Sequence, residues 1–396
     1  MKPAYLLGAL LLTLTSCHVG RFFLYNFADI NDKHKFPSLP IDNDPTQVFQ
    51  FVELPPDSVD QRVPTMLEED DRPVSFEDFL VDHKTVALLI IKSDTIVYEQ
   101  YFGRYEQATD HPSFSVAKSF VSALVGIAIA EGHIDSAGQS ITEFLDYLPA
   151  EEFGPITIQH LLDMQSGIDF NEGYFNPFGD VAKHYYGRNM PRYLTQLKVG
   201  RPPGEVFDYV SVNTQLLAAI LETATGESLH EYLTTRLWQP LGMEYPATWS
   251  VDSKRHQTEK AFCCLNARAR DFAKFGRLYL HHGNWQGRQL VPEAWVERST
   301  TFTEPMNRFN YTNHWWHVAT SFPAGDSTRV VNDLHYTYTW NETEYIRQPL
   351  PDYFAEGVLG QFIYVHPERD LIIVRLGRKY GDVNWPGFFH RLSWRF

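Results

Sequence analysis

The segment over residues 115–131 constrains the fold more than any other part of the chain. Apolar residues recur on every side of the helix that it predicts, and Gly132 is placed to end that helix. A helix without a polar face is stable only when other elements surround it, so we expect it at the centre of the protein. The chain has 396 residues, of which 43% are hydrophobic, and this is enough to bury such a helix.

Strand-like segments lie on both sides of a helical middle. Residues 86–91 and 95–102 predict a hairpin near the start, and residues 360–365 and 371–376 predict another near the end. The pattern between the two hairpins predicts mainly helices and loops. We therefore expect an α+β fold in which early and late strands form one antiparallel sheet, flanked by helices, with a helical lobe inserted.

The first residues are typical of an export signal. Lys2 precedes an apolar run over residues 4–14, which is too short to span a bilayer but fits the core of a signal peptide. Cys17 follows where cleavage would fall, and the preceding Leu-Thr-Ser resembles the lipobox of bacterial lipoproteins. The alternative is an ordinary signal peptide with an incidental cysteine. We predict a lipoprotein signal peptide over residues 1–16 and lipidation of Cys17.

This prediction places the protein outside the cytoplasm, anchored by lipid on the periplasmic side of the cell envelope. His18 stands where an aspartate would favour retention in the inner membrane, so we expect the outer membrane. Residues 17–74 are rich in proline and acidic side chains, and we expect an N-terminal extension that wraps the body or acts as a tether. The main folded domain is predicted over residues 75–396.

Charge and cysteine content bear on binding partners and on disulfides. The net charge is −15 and no run of basic residues occurs, so nucleic acid is not an expected partner. The three cysteines do not provide a disulfide framework. Adjacent Cys263 and Cys264 are predicted to stay unpaired, because a trans peptide holds neighbouring Cα atoms ~3.8 Å apart, below the usual disulfide range.

Ser115 and Lys118 form an S-x-x-K sequence at the start of the apolar helix. Residues three apart share a helix face, so the hydroxyl and the amine can meet. Burial disfavours the charged amine and lowers its pKa, which enables Lys118 to accept the serine proton. In the alternative interpretation Ser115 caps the helix and Lys118 extends to solvent, but so apolar a helix offers few routes to solvent.

With three further segments, this motif resembles the penicillin-recognising serine hydrolases. These include class C β-lactamases, esterases, DD-peptidases and 6-aminohexanoate-dimer hydrolases. The segments are HLLDMQSG at residues 160–167, GEVFDYVSVNTQLLAAILE at 204–222 and AEGVLGQ at 355–361. The resemblance implies a β-lactamase/transpeptidase-like fold and a serine hydrolase that cleaves small esters or amides through an acyl-enzyme. The G-x-x-G-Q pattern is nearest to the 6-aminohexanoate-dimer hydrolase branch.

The resemblance also implies catalytic roles: Ser115 as nucleophile, Lys118 as its base and a tyrosine as proton shuttle. Tyr174, Tyr209 and Tyr311 each have Ser or Asn two residues further on. Tyr209 precedes an apolar helix, as the family's tyrosine does, and its neighbours match the family best. We predict that it is the catalytic tyrosine; the alternative is an aromatic residue of the core.

Other residues are expected to bind the substrate. The backbone amides of Ser115 and Val358 would form the oxyanion hole. The family's K-T-G lysine falls on Ala355, so the cation that would hold a β-lactam carboxylate is missing. The candidate substrate-binding residues are Ser211, Gly357, Tyr174 and Trp315.

Two other functions remain open at this stage. The first is a β-lactamase or DD-peptidase, against which Ala355 argues; the second is a non-catalytic, lipid-anchored binding protein on the same fold. The chain has no G-x-S-x-G, no H-E-x-x-H and no G-K-[ST] sequence. We therefore predict no metal and no cofactor, and a small ester or amide as substrate.

Overall fold

A nine-stranded sheet is the largest element of the computed structural model, which describes residues 18–25, 27–55, 58, 60–69, 71–301, 310–330 and 334–396. Its late strand Leu371–Gly377 pairs antiparallel with the early strand Thr85–Lys92. The prediction that early and late strands share one sheet is therefore confirmed. In order across the sheet the strands are Tyr311–Thr312, Trp315–Pro323, Thr343–Gly357, Gln361–His366, Leu371–Gly377, Thr85–Lys92, Thr95–Tyr101 and Val52–Glu53, and Tyr336–Trp340 also pairs with Thr343–Gly357.

Both faces of this sheet are covered. In the strand Thr85–Lys92, Ala87, Leu89 and Ile91 face one apolar core, whereas Leu88 and Ile90 face another. This explains why the strand is a continuous apolar run rather than an alternating one. Helices Ala117–Ala130 and Ala269–Leu280 cover the first face, and helices Phe76–Asp82 and Trp385–Ser393 cover the second.

The helix Ala117–Ala130, called the central helix below, is as buried as its sequence predicts. All residues from Ala117 to Ala128 are buried. Phe120 stacks on Phe275 with ring centroids 3.7 Å apart. The chain leaves the helix at Gly132, whose φ of +78° suits glycine.

The helical lobe lies between the early and late strands in sequence, as predicted. Its α-helices are Ala150–Phe153, Ile158–Leu162, Asp180–Tyr186, Met190–Leu194, Val212–Thr225, Leu229–Leu233, Ala269–Leu280 and Glu293–Thr300, with a π-helical turn at Thr234–Trp238. Short 3₁₀ turns occur at Asp32–His34, Phe114–Val116, Ile141–Glu143, Ser327–Arg329 and Pro367–Arg369.

The described part of residues 18–74 packs against the body. The strand Ser38–Ile41 pairs with Ala247–Ser250 in a four-stranded sheet that also contains Leu265–Ala267 and His111–Pro112. Five apolar side chains of residues 18–74 are buried in the same core as the central helix: Phe22, Ile30, Phe36, Ile41 and Phe51. The extension also contains the helix His18–Tyr25, the strand Val52–Glu53 and the hairpin of Met66–Glu69 with Arg72–Ser75. The lobe carries a further hairpin, Asn284–Trp285 with Arg288–Gln289.

The signal peptide and Cys17 lie outside the described residues. Within the described residues, none of the helices has the length and apolar character needed to cross a bilayer.

Candidate active site

Ser115 lies in the 3₁₀ turn Phe114–Val116, directly before the central helix. The preceding residue Phe114 has a φ of +45°, a left-handed conformation that is uncommon for a bulky side chain. Such strained positions cluster at functional sites. Ser115 lines a pocket and is partly exposed, whereas Phe114 and Val116 are buried.

Lys118 lies one turn further along and its side chain is directed back towards Ser115. It is only 1% exposed. Its Nζ is 2.9 Å from Ser115 Oγ, 2.9 Å from the carbonyl oxygen of Phe262 and 3.3 Å from Ser211 Oγ. The lysine therefore reaches the serine from inside the protein and does not extend to solvent.

Burial lowers the pKa of Lys118 to about 8, although the negative charge of Glu172 opposes this effect. A neutral amine has two hydrogens and one lone pair to satisfy three partners. The carbonyl of Phe262 can only accept, and the Ser211 hydroxyl is committed as donor to Glu172, so both take hydrogens from Lys118. The lone pair is thus directed at Ser115 Oγ, which is the geometry a general base requires.

Tyr209 is half-buried and lies beside both Ser115 and Lys118. Its hydroxyl interacts with the Ser115 side chain, and Lys118 Nζ lies 5.1 Å from the centre of its ring. Burial raises the pKa of Tyr209 far above its ordinary value, so the phenol keeps its proton at neutral pH. Of the two groups near Ser115, the lysine is therefore the better base and the tyrosine the better proton donor.

A carboxylate that the sequence analysis missed completes the polar part of the site. Glu172 accepts hydrogen bonds from the backbone and hydroxyl of Ser211, at 2.8 and 2.6 Å, and from the Tyr174 hydroxyl at 2.9 Å. It thus orients Ser211 and, through it, Lys118. The sequence offered one signal for Glu172, its position two residues before Tyr174. Its contacts with Ser211 form only in the tertiary fold and have no local sequence pattern.

Gly357 ends the long strand Thr343–Gly357 beside the nucleophile. A Cβ atom there would lie 2.4 Å from the carbonyl oxygen of Ser113 and 3.1 Å from Phe114 Cβ. The glycine therefore allows the strand to contact the segment that presents Ser115, and the next residue, Val358, lines the same pocket. Ala355 is buried in the core.

The pocket in front of Ser115 is apolar. Among the described residues it has no Lys, Arg, Asp or Glu in its lining. Besides the hydroxyls of Ser115 and Ser211, it is lined by Phe27, Ala28, Phe114, Tyr174, Phe175, Val181, Ala182, Tyr185, Tyr186, Phe262, Cys263, Val358 and Leu359. Phe27 and Ala28 come from the N-terminal extension, so that segment forms part of the pocket wall.

Trp315 does not reach this pocket, contrary to our prediction. It is fully buried and packs on Phe275 and Tyr279 in the core beneath the sheet. Its neighbour Trp316 points to the other face, as strand alternation requires, and stacks on Tyr209 at 5.8 Å. Tyr311 packs edge-to-face on Tyr209 as well.

Cys263 and Cys264 form a disulfide, which overturns the prediction that they stay unpaired. Their Cα atoms are 3.7 Å apart, as expected for neighbours. The distance rule describes cysteines that meet across separate segments, whereas here a tight turn brings the two side chains together. The turn is fixed by Cys264 with a φ of +71° and by a hydrogen bond from the Trp249 indole to the Cys263 carbonyl.

The HLLDMQSG segment supports the site without entering it. His160 accepts a hydrogen bond from the Thr157 amide and caps its own helix. Ser166 donates to Asn213 Oδ1 at 2.7 Å, which holds the start of the helix that follows Ser211. A Cβ atom at Gly167 would lie 2.2 Å from the Arg201 carbonyl oxygen, which accounts for the glycine.

The sequence model of the beta-lactamase family matches residues 76–383 of this chain. The chain belongs to the beta-lactamase family. This membership makes it a serine hydrolase, as predicted, and the fold described above is the β-lactamase/transpeptidase-like one.

Relatives of this beta-lactamase-family chain include a 6-aminohexanoate-dimer hydrolase of Paenarthrobacter ureafaciens, 30% identical over 78% of this chain and 75% of that protein. A D-aminopeptidase of Cereibacter sphaeroides is 26% identical over 35% of this chain and 26% of its own length. Among solved structures, a putative 6-aminohexanoate-dimer hydrolase from Bacillus anthracis covers 92% of both chains with a TM-score of 0.75 and 25% identity.

Proposed function

We propose that this chain hydrolyses amides or esters with an uncharged, apolar acyl group, through an acyl-enzyme on Ser115. The observation that carries the proposal is the orientation of the buried Lys118 amine. Two of its three partners can only take its hydrogens, so its lone pair is directed at Ser115 Oγ. A pKa of about 8 leaves a useful fraction of this amine neutral at physiological pH.

In the first half-reaction, Ser115 Oγ attacks the carbonyl carbon while its proton passes to Lys118. The Oγ–C bond forms and the carbonyl oxygen becomes an oxyanion, for which the amides of Ser115 and Val358 are the proposed donors. The bond to the leaving group then breaks. The leaving group takes a proton from Tyr209, and Tyr209 recovers one from Lys118.

In the second half-reaction, water attacks the Ser115 ester. Its proton passes to Lys118, a new tetrahedral oxyanion forms, and collapse breaks the Oγ–C bond. Ser115 recovers its proton and the carboxylic acid leaves.

The pocket lining supports the choice of substrate. A β-lactam or cell-wall peptide carries a carboxylate, and no described residue that lines the pocket is cationic. Glu356, next to Ala355, acts electrostatically on Tyr174 and Tyr209 and so lies near the cleft. An anionic substrate would therefore meet no counter-charge in the pocket and, when Glu356 is ionised, a repulsive one beside it.

The nucleophile is tested by intact-protein mass spectrometry after treatment with a serine-reactive fluorophosphonate. We expect one adduct on the wild type and none on Ser115→Ala. Ser122→Ala is the matched control, because Ser122 is a buried serine of the same central helix whose hydroxyl has no hydrogen-bond partner among the described residues. Labelling that survives in Ser115→Ala, or that is lost in Ser122→Ala, contradicts the assignment.

The substrate class is tested with matched p-nitrophenyl esters and anilides of neutral and carboxylated acyl chains. We expect the neutral member of each pair to give the higher kcat/KM. A chromogenic cephalosporin should be hydrolysed slowly or not at all. Rapid hydrolysis of that compound would favour the β-lactamase alternative.

We further propose that the protein is exported and lipid-anchored through Cys17, on the periplasmic side and in the outer membrane. Support comes from apolar side chains that are exposed after that cysteine. The helix His18–Tyr25 exposes Phe23 and Leu24, and Phe27 contacts Phe175, which is 81% exposed at the pocket mouth. A lipid surface next to the anchor would cover these side chains.

The anchor is tested by metabolic labelling with an alkyne fatty acid in a bacterial host, followed by fractionation. We expect label and membrane association in the wild type and neither in Cys17→Ala. The control Cys263→Ala keeps Cys17 and should remain labelled. Unlabelled wild type that is secreted in soluble form would argue for an ordinary signal peptide.

A further inference from the structure

Two histidines and an aspartate meet at the end of the large sheet that lies away from the active site. Asp352 belongs to the strand Thr343–Gly357, His366 ends the neighbouring strand Gln361–His366, and His390 lies in the helix Trp385–Ser393. Asp352 precedes Gly357 by five positions, which corresponds to about 17 Å along a strand. The cluster is therefore separate from the pocket.

The hydrogen bonds in this cluster leave two buried atoms without partners. The Asp352 side chain is fully buried, and its Oδ2 accepts from the Tyr364 hydroxyl at 2.6 Å and from His390 Nδ1 at 3.0 Å. Its other oxygen, Oδ1, has no hydrogen-bond partner among the described residues, and neither has Nδ1 of His366. A buried carboxylate oxygen without a partner is costly, so the cluster is incomplete as a purely hydrogen-bonded unit.

The three side chains are slightly further apart than the ligands of a loaded metal site. One ligand atom from each lies within 4.8 Å of the other two. The rings of His366 and His390 are nearly parallel, with centroids 6.1 Å apart. Ligand atoms around a zinc ion lie about 3.3 Å from one another, since each is ~2.1 Å from the metal. Shifts of roughly an ångström, within the reach of side-chain rotation, would close the site.

We propose that Asp352, His366 and His390 bind a divalent transition-metal ion, with zinc as the expected ion. Two imidazoles and one carboxylate are typical zinc ligands, and alkaline-earth ions prefer sites made of oxygen alone. The ion would take up the lone pairs of Asp352 Oδ1 and of His366. His390 would bind it through Nδ1, which would lose its proton and its hydrogen bond to Asp352 Oδ2, while Nε2 keeps the hydrogen bond from the Trp394 indole. It would join two strands to the C-terminal helix, and His390 is partly exposed, so the ion has a route from solvent.

The test measures zinc in purified, untagged protein that is stripped with EDTA, incubated with ZnCl₂ and dialysed. Inductively coupled plasma mass spectrometry should find one zinc per chain in the wild type and almost none in His390→Ala or Asp352→Asn. The matched control is His282→Ala, which disrupts the exposed group His282, Glu293 and Glu297. This control should retain one zinc per chain.

A second readout, the melting temperature, uses the wild type alone and so does not depend on how well a variant folds. Zinc at about 100 times its dissociation constant should raise the melting temperature of the wild type by roughly 3 °C. Cobalt in place of zinc should give visible absorption bands that His390→Ala lacks. Wild type that retains no zinc, or zinc that is retained in His390→Ala but lost in His282→Ala, would overturn the proposal.

Discussion

Replacement of Gly357 by alanine tests whether the strand end positions the nucleophile. The added Cβ would lie 2.4 Å from the Ser113 carbonyl oxygen, a backbone atom that cannot rotate away. Ordinary contacts of this kind are about 3.5 Å, so the strand end and the segment carrying Ser115 must separate by roughly 1 Å. A misplacement of that size in an active site costs about 10²-fold in rate.

We therefore expect Gly357→Ala to lower both kcat/KM for a neutral ester and the rate of fluorophosphonate labelling by about 10²-fold. Overpacking should also lower the free energy of unfolding by about 1–3 kcal/mol. The matched control is Gly325→Ala, where a Cβ would meet nothing within 4 Å. Labelling within about threefold of the wild type in a Gly357→Ala variant of unchanged melting temperature would refute the reasoning.

Three further outcomes follow from the site. Below pH 8, kcat/KM should rise about tenfold per pH unit and then level off, because Lys118, with a pKa of about 8, is a base only when neutral; a profile that is flat from pH 6 to 9 would exclude it. In Glu172→Gln the kinetic pKa should fall, since the charge of Glu172 raises the pKa of Lys118; a rise in that pKa would contradict this electrostatic role. In the double variant Cys263→Ser/Cys264→Ser, loss of so short a loop should cost only about 1 kcal/mol in denaturant unfolding. The same variant should also lose turnover, because the carbonyl of the adjacent Phe262 accepts a hydrogen bond from Lys118 and would shift with the turn. An unchanged kcat would show that the disulfide does not position the active site.

Local patterns explain why much of the fold could be predicted from the sequence. The central helix could be identified because apolar residues occur on all its sides, and every residue from Ala117 to Ala128 is indeed buried. The helix Phe76–Asp82 begins where Ser75 caps it, with its hydroxyl accepting from the Asp78 amide. Such features depend on residues that are close together in the chain, so a sequence pattern is enough to predict them.

Several features that depend on distant segments were not predicted. The strand Thr343–Gly357 contains two prolines and many polar residues, and only its pairing with neighbouring strands makes it regular. The strand Ser38–Ile41 was missed because its partner, Ala247–Ser250, lies some two hundred residues away. Glu172 was missed for the same reason, since its partner Ser211 is distant in the sequence. The prediction for Trp315 was wrong because the face on which a strand residue lies depends on strand register, which a one-residue shift inverts.

The pairing of the late strand Leu371–Gly377 with the early strand Thr85–Lys92 also fixes the order in which the enzyme matures. Because synthesis proceeds from the amino end, Ser115 and Lys118 appear long before the strand that ends at Gly357 and the following residue Val358. Until the strand Leu371–Gly377 is made, one edge of the strand Thr85–Lys92 has no partner, and non-local pairing of this kind is slow. The hydrolase thus becomes competent only when its carboxyl-terminal segment is delivered, and a chain truncated there would lack both its sheet and its activity.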